Sequence, residues 1–246
     1  MLLAFALALT QPDEKWIKLF NERNLDGWKP KITGYSYGDN FGNTFRVKDK
    51  AIQVGYEGYT DGFNGRFGHL FYKTPFSSYI LKLEYRFTGE QCKGGPGWAY
   101  RNSGVMIHGQ DPATIGLKQE FPVSAEVQFL GGDPTGVRHT GNLCTPGTNV
   151  VRNGKLWTPH CLDSVSDTFR GETWVQAEIE VHGYGEVIHR INGAEVMRYE
   201  QVQLDPNDND AKPLIKNGNL KIEGGTISLQ SESHPVEFRN IFLKKI

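Results

Sequence analysis

The segment Val187-Ile-His-Arg-Ile191, Asn192-Gly193, Ala194-Glu-Val-Met-Arg-Tyr199 restricts the fold of this chain more than any other. An Asn-Gly pair takes the positive φ values of a type I′ turn, whose twist suits two antiparallel strands. Counting outward from the turn pairs Arg190 with Glu195 and His189 with Val196. A second hairpin joins Phe45-Arg-Val47 to Ala51-Ile-Gln-Val54 through Lys48-Asp49-Lys50. Tyr79–Phe87 alternates apolar with polar residues, and Leu70–Tyr72, Ser103–His108, Trp174–Val181, Thr226–Gln230 and Val236–Leu243 also read as strands. No long amphipathic helical pattern competes with them. The 29 glycines, 12 prolines and 12% aromatic residues suit a turn-rich β protein. With no repeat and no linker, the expectation is an all-β jelly-roll β-sandwich, one domain over residues 16–246. Residues 24–43 and 131–173 read as long loops.

The 27 basic and 28 acidic residues leave a net charge of -1 with no long run of either sign, so nucleic acid and anionic membranes are poor partners. Residues 1–10, Met-Leu-Leu-Ala-Phe-Ala-Leu-Ala-Leu-Thr, are too short an apolar run to span a bilayer. Ala6-Leu7-Ala8 has the small-x-small pattern of a signal-peptidase site, though the positive n-region is missing. They read as the remnant of a signal peptide, which makes the chain periplasmic or secreted. No later stretch is apolar enough to cross a membrane as a helix. Of Cys92, Cys144 and Cys161, the last two close a single loop and are the expected disulfide. A zinc cluster adding His139 and His160 is the rival, but adjacent His160 and Cys161 ligate awkwardly together and no zinc motif spacing is present.

Ser124-Ala-Glu-Val-Gln-Phe-Leu-Gly-Gly132 carries the chemistry of interest. Ala125, Val127 and Phe129 fall on one face, Glu126 and Gln128 on the other. In Asn102–His108, Val105 and Ile107 face the core and leave Asn102 and His108 opposite. If these strands share a sheet, Asn102, His108, Glu126 and Gln128 line one groove. Arg138, His139 and Asn142 lie in the loop that follows, which either folds over the cleft to offer donors to sugar hydroxyls or is an ordinary exposed polar loop. Trp98 and Tyr100 are aromatic platforms or ordinary loop anchors. Gln230, Glu232 and His234 sit at a strand end and rank below these. His189 shares its face with Val187 and Ile191; it is either a buried core histidine or a neutral base, and the residues leave both open. Glu84 shares a polar face with Lys82 and Arg86 and reads as ion-paired.

The chain resembles the 3-keto-disaccharide hydrolase family, from about Trp16 to Ile246. The resemblance rests on Phe20-Asn21 with Leu25-Asp-Gly-Trp28, Asn102-Ser-Gly-Val-Met-Ile-His108, Ala125-Glu-Val-Gln128, Thr140-Gly141, Val187-Ile-His189 with Asn192-Gly193, and Ile227-Ser-Leu-Gln230 through Val236-Glu-Phe-Arg-Asn-Ile241. It implies a concanavalin A-like jelly roll, an exported bacterial protein, and site roles for Asn102–Gly104, Glu126, Gln128 and His189. The family's Thr-Gly is commonly followed by a small residue and an aromatic, whereas this chain reads Thr140-Gly-Asn-Leu-Cys144, so the loop through Cys161 marks a subgroup.

Ordinary glycoside hydrolysis needs two carboxylates, and the Glu126 strand supplies one. A 3-keto-glycoside relaxes that demand: the ketone acidifies the C2 proton, one base removes it, the C1 leaving group departs, and water adds back. Glu126 and His189 are the expected catalytic pair, with Asn102, His108, Gln128, His139, Asn142, Trp98 and Gln230 binding substrate. A divalent cation could polarise the ketone instead, although no ligand spacing names its site. The alternative is a non-catalytic carbohydrate-binding module on the same scaffold. The residues carry no signal of oligomeric state.

Overall fold

The structure is a computed structural model, and it describes residues 15–133 and 135–246; the expected signal remnant at residues 1–10 lies outside them. The strands of the N-terminal half are β1 (Ile17–Lys18), β2 (Trp28–Ile32), β3 (Phe45–Lys48), β4 (Ala51–Val54), β5 (Gly68–Tyr72), β6 (Ser78–Phe87), β7 (Asn102–Gly109) and β8 (Ala125–Leu130). Then come β9 (Asn142–Cys144), β10 (Thr148–Arg152), β11 (Lys155–Trp157), β12 (Cys161–Leu162), β13 (Val175–His182), β14 (Glu186–Ile191), β15 (Ala194–Leu204), β16 (Thr226–Ser231) and β17 (Val236–Lys245). Short 3-10 turns are the only helical elements among the described residues.

The strands form two antiparallel sheets packed as a jelly-roll sandwich. The larger runs β11-β10-β15-β14-β13-β6-β17-β4-β3, with β1 on β17; the smaller runs β12-β9-β8-β7-β16-β5-β2. Period-two alternation explains the core. Tyr79, Leu81, Leu83, Tyr85 and Phe87 of β6 are buried, and they face Val105, Ile107, Ala125, Val127 and Phe129 of the smaller sheet. The Tyr85 and Phe129 rings stack across the sandwich, 4.1 Å between centroids and 4° from parallel. Such a pair adds about 1 kcal/mol beyond its buried area, and it ties β8 to the opposite sheet. On the outer face of the larger sheet Glu84 is bound by Arg239 at 2.7 Å, so it is ion-paired, though with neither cation of its own strand.

Both hairpins form. Asp49 and Lys50 have φ 51° and 61°, Asn192 and Gly193 φ 47° and 84°, the signs a type I′ turn requires. The register of the second differs from expectation by one residue. Arg190 does face Glu195, but His189 faces Met197, because the ladder shifts between them and leaves Val196 as a bulge. The extra residue lets Val196 and Met197 both turn inward, where both are buried.

Residues 131–173 are not one long loop. They contain β9 to β12, of which β9 and β12 extend the smaller sheet and β10 and β11 the larger. These strands are only 2 to 5 residues long, too short for alternation to reveal them. Residues 24–43 likewise hold β2. Cys144 and Cys161 stand directly opposite each other on β9 and β12 and are disulfide-bonded, 17 residues apart in sequence, while Cys92 is free. Replacing both bridged cysteines by serine is expected to lower the free energy of unfolding by about 3 kcal/mol. Urea unfolding reads this directly, and an unchanged midpoint would show that β9 and β12 stay paired without the bridge.

Candidate active site

One face of the smaller sheet packs into the core; the other carries polar rungs that cross several strands. Lys31 pairs with His69, and His69 with Gln230. Leu229 pairs with Val105, so Gln230 stands level with Gly104, which pairs with Gln128, which pairs with Asn142. Register partners point to the same side of a sheet. A neighbouring rung holds Met106, Glu126 and Cys144.

Gly104 explains how Glu126 reaches the middle of this floor. A Cβ at position 104 would lie 2.8 Å from Glu126 Oε1, so the carboxyl occupies the space that the missing side chain leaves. It extends towards Gln230, whose amide favours its ionised form. Burial outweighs that help: Glu126 is 5% exposed and its pKa is pushed up to about 8.

A second carboxyl reaches the same place. Glu232 follows the end of β16 and is held there by its neighbours. Tyr56 Oη bonds Ser231 Oγ and accepts the Ser233 N–H, each at 2.8 Å, and Gln91 donates to Ser233 Oγ at 2.9 Å. Glu232 is 2% exposed. Burial raises its pKa well above the carboxylate range and the charge of Glu126 raises it further, against a smaller opposing pull from Arg138. The two carboxyls therefore titrate as a pair, and the second proton is hard to remove while the first is gone. Gln230 and Glu232 share strand parity; that is the signal by which sequence reading could have ranked Glu232 alongside Glu126.

The surrounding polar atoms are buried and short of partners. Among the described residues, Asn102 Oδ1, Glu126 Oε1, Glu232 Oε2, both amide atoms of Gln230 and both ring nitrogens of His234 have no hydrogen-bond partner within 3.5 Å in acceptable geometry. Buried polar atoms are nearly always bonded, so such a cluster on one face marks where a polar ligand or water belongs. Burial and the charges of Arg101 and Arg138 lower the His234 pKa to about 4, which keeps the ring neutral. Arg138 donates to the carbonyls of Gly131 at 2.9 Å, of Trp98 at 3.4 Å and of Tyr100, and so binds its own segment to the aromatic turn. Trp98, 56% exposed, stacks on Phe67 with centroids 5.8 Å apart.

Other expected residues serve the scaffold. Asn142 uses its whole amide internally, donating to Gln128 Oε1 and the His139 carbonyl and accepting the Ser164 N–H. It lies on β9 and not in a loop. His139 is half-buried, with Nδ1 against the Ser166 carbonyl. His108 is not opposite the core: its backbone has φ 52° at a bulge against β16, and its buried ring lies near Gly183 in the turn between β13 and β14, with its pKa lowered to about 4 by burial. The bulge reverses the parity that alternation assigned.

His189 lies in the larger sheet, fully buried, and is not brought to Glu126. Nδ1 bonds the Gly141 carbonyl at 2.9 Å and Nε2 bonds Tyr199 Oη at 3.1 Å. Burial lowers its pKa to about 4. It props the Thr140-Gly141 turn from behind, while the Gly141 N–H donates to the Gln128 carbonyl. Among the described residues no group of three or more His, Cys, Asp or Glu side chains could hold a metal ion, so no ligand set is assigned to a divalent cation. No helix among them is long and apolar enough to cross a membrane. A cavity of about 740 Å³ bordered by Gln119, Phe121, Thr145 and His160 lies beyond the disulfide and does not include the carboxyl pair.

The fold is an antiparallel jelly roll, and the family to which the chain belongs makes it a carbohydrate-acting protein. The chain belongs to the 3-keto-alpha-glucoside-1,2-lyase-like domain family, whose profile matches residues 15–244. No curated protein matches it. Among solved structures it is similar to a candidate glycosyl hydrolase from Parabacteroides distasonis ATCC 8503, 18% identical over 94% of this chain and 100% of that one, TM-score 0.54. A second from the same organism is 16% identical over 97% and 98%, TM-score 0.55. The Emp47p carbohydrate recognition domain is 10% identical over 96% of each chain, TM-score 0.51. These likenesses are of fold, and the fold is the concanavalin A-like jelly roll.

The raised carboxyls set a pH signature. Between the ordinary glutamate value of 4.5 and about 8 the native state keeps a proton on Glu126 that the unfolded chain has released. The native state binds more protons there, so stability falls as pH rises through that window. Glu126→Gln is expected to flatten the dependence of Tm on pH over the same range. A slope identical to the parent's would show that Glu126 titrates normally.

Proposed function

We propose that this protein cleaves 3-keto-glycosides by proton transfer at the paired carboxyls Glu126 and Glu232. The observation that supports this reading most is the burial of both groups on one floor, beside amide and imidazole atoms that lack partners. A carboxyl pair whose two members lose protons at different pH supplies one base and one acid. Glu126, whose carboxyl lies over Gly104 in the middle of the sheet, is the base, and Glu232, at the end of β16, is the acid.

Ionised Glu126 takes the C2 proton, and the C2–H electron pair moves onto the C3 ketone as an enolate. Gln230 Nε2, beside Glu126, is the donor to that oxygen. The enolate collapses to a C1–C2 double bond, the C1–O bond breaks, and Glu232 protonates the departing oxygen. Water then adds: Glu232 takes its proton as the hydroxyl bonds to C1, and Glu126 returns a proton to C2. Both carboxyls end as they began, and the net reaction is hydrolysis. Asn102 and Gln128 hold ring hydroxyls, and Trp98 stacks on a sugar face. Export to an oxidising compartment accords with the Cys144–Cys161 bridge.

Glu126→Gln is expected to reduce kcat on a 3-keto-glucoside about 10²- to 10⁴-fold, the usual contribution of a general base. Glu232→Gln is expected to slow aglycone release from substrates with poor leaving groups, to spare that release from activated aryl ones, and to slow the hydration step for both. In D₂O the released 3-keto sugar should carry deuterium at C2. Near-parental rates in folded Glu126→Gln, or product without C2 label, would overturn the mechanism. A carbohydrate-binding module, the other reading of this groove, would bind the glycoside and release no reducing sugar.

A further inference from the structure

The floor that carries the carboxyl pair also carries a buried cation that no described residue neutralises. Lys31 on β2 is 5% exposed, and its ammonium makes one hydrogen bond, to the Ile32 carbonyl at 3.2 Å. Among the described residues it forms no salt bridge, whereas the exposed Lys18 and half-exposed Lys82 each find a glutamate. Its register partner His69 is 3% exposed, with Nε2 buried and unbonded. A buried ammonium without a counter-charge destabilises a fold, and an apolar side chain of that length would fill the same space without the charge.

Lys31 and His69 share a face with Gln230, the residue towards which Glu126 extends. From Lys31 on β2 to Gly104 on β7 is three strand spacings, about 14 Å, more than one sugar ring and less than a long chain. Aromatic rings line the way. Phe121 lies edge-on to His69 at 6.0 Å and packs on Phe67 at 5.0 Å, and Phe67 stacks on Trp98. The Trp98 carbonyl in turn accepts from Arg138, whose charge acts on Glu232.

We infer that Lys31 and His69 form an anion-binding subsite, so that the preferred glycoside carries a carboxylate or sulfate on a sugar unit remote from the bond that is cleaved. The inference rests on the groove being the glycoside site. Lys31 supplies the charge, the neutral His69 ring a directional hydrogen bond, and Trp98 with Phe121 the apolar walls between the two ends. An unpaired cation in this position trades stability for recognition.

The test is calorimetric binding of three saccharides that lack the ketone and so are not turned over. They are a trisaccharide ending in glucuronic acid, its glucose-terminated counterpart and its 6-sulfated counterpart, with inorganic sulfate as the ion alone. The full chain is expected to bind at least one anionic saccharide about tenfold more tightly than the neutral one. Lys31→Met should abolish the preference, leave neutral binding unchanged, and keep or raise Tm. His69→Gln, which retains a polar group, should weaken the preference without removing it. Glucuronate alone preferred assigns a carboxylate, sulfate alone a sulfate ester. Equal affinity for all three saccharides, a preference surviving Lys31→Met, a lower Tm in that variant, or inorganic sulfate binding as tightly as the saccharides would each overturn the subsite. Turnover of a neutral 3-keto-glucoside is read separately, so loss of the subsite and loss of the hydrolase reading are distinguishable.

Discussion

Two carboxyl groups held out of water on one sheet, near enough for each to resist the other's ionisation, govern the rest of this structure. Their closeness depends on Gly104, whose missing side chain lets Glu126 lie across β7 towards β16. It depends equally on the clamp by Tyr56 on Ser231 and Ser233, which fixes Glu232 at the end of β16. Burial without a salt bridge is costly for charge, so the pair holds protons at pH values where surface carboxyls have lost them. Arg138 is near enough to act on Glu232, but its hydrogen bonds go to backbone carbonyls, and it moderates the effect without cancelling it.

The larger sheet supports this floor from behind. Tyr85 stacks on Phe129 and bonds Thr140 Oγ1 at 2.6 Å, while His189 bonds the Gly141 carbonyl. Gly141 has φ 71°, and a Cβ there would lie 2.9 Å from Ile191, so the turn needs glycine for conformation and for space. Together these contacts set the turn that feeds β9 beside β8. The disulfide closes the far edge of the same sheet, with Cys144 level with Glu126.

The sequence revealed the strands that alternate clearly or flank a short polar turn, such as Lys48-Asp49-Lys50 and Asn192-Gly193. It hid what depends on bulges and on chain ends. The bulge at His108 turned a residue expected in the groove towards the core, and the one at Val196 shifted the pairing of His189. His189 lies on an apolar face, as its neighbours indicated, and its ring nitrogens bond the Gly141 carbonyl and the Tyr199 hydroxyl. Glu126, Gln128, Asn102 and Gln230 do share one face. Glu232 ranked low because it stands just past a strand, where alternation stops being informative and Tyr56, far off in sequence, decides the direction. Lys31 gave no signal, since only the pairing order β2-β5-β16 brings it onto the same floor.

The central claim is that Glu126 and Glu232 form a proton-sharing pair. Carbon-13 NMR of the chain labelled at glutamate side-chain carboxyls tests it directly. Two resonances should titrate well above the ordinary glutamate value, Glu126→Gln should remove one, and the other should then move downward because a neighbouring charge is gone. If every glutamate carboxyl titrates near 4.5 in the folded protein, the pair does not exist.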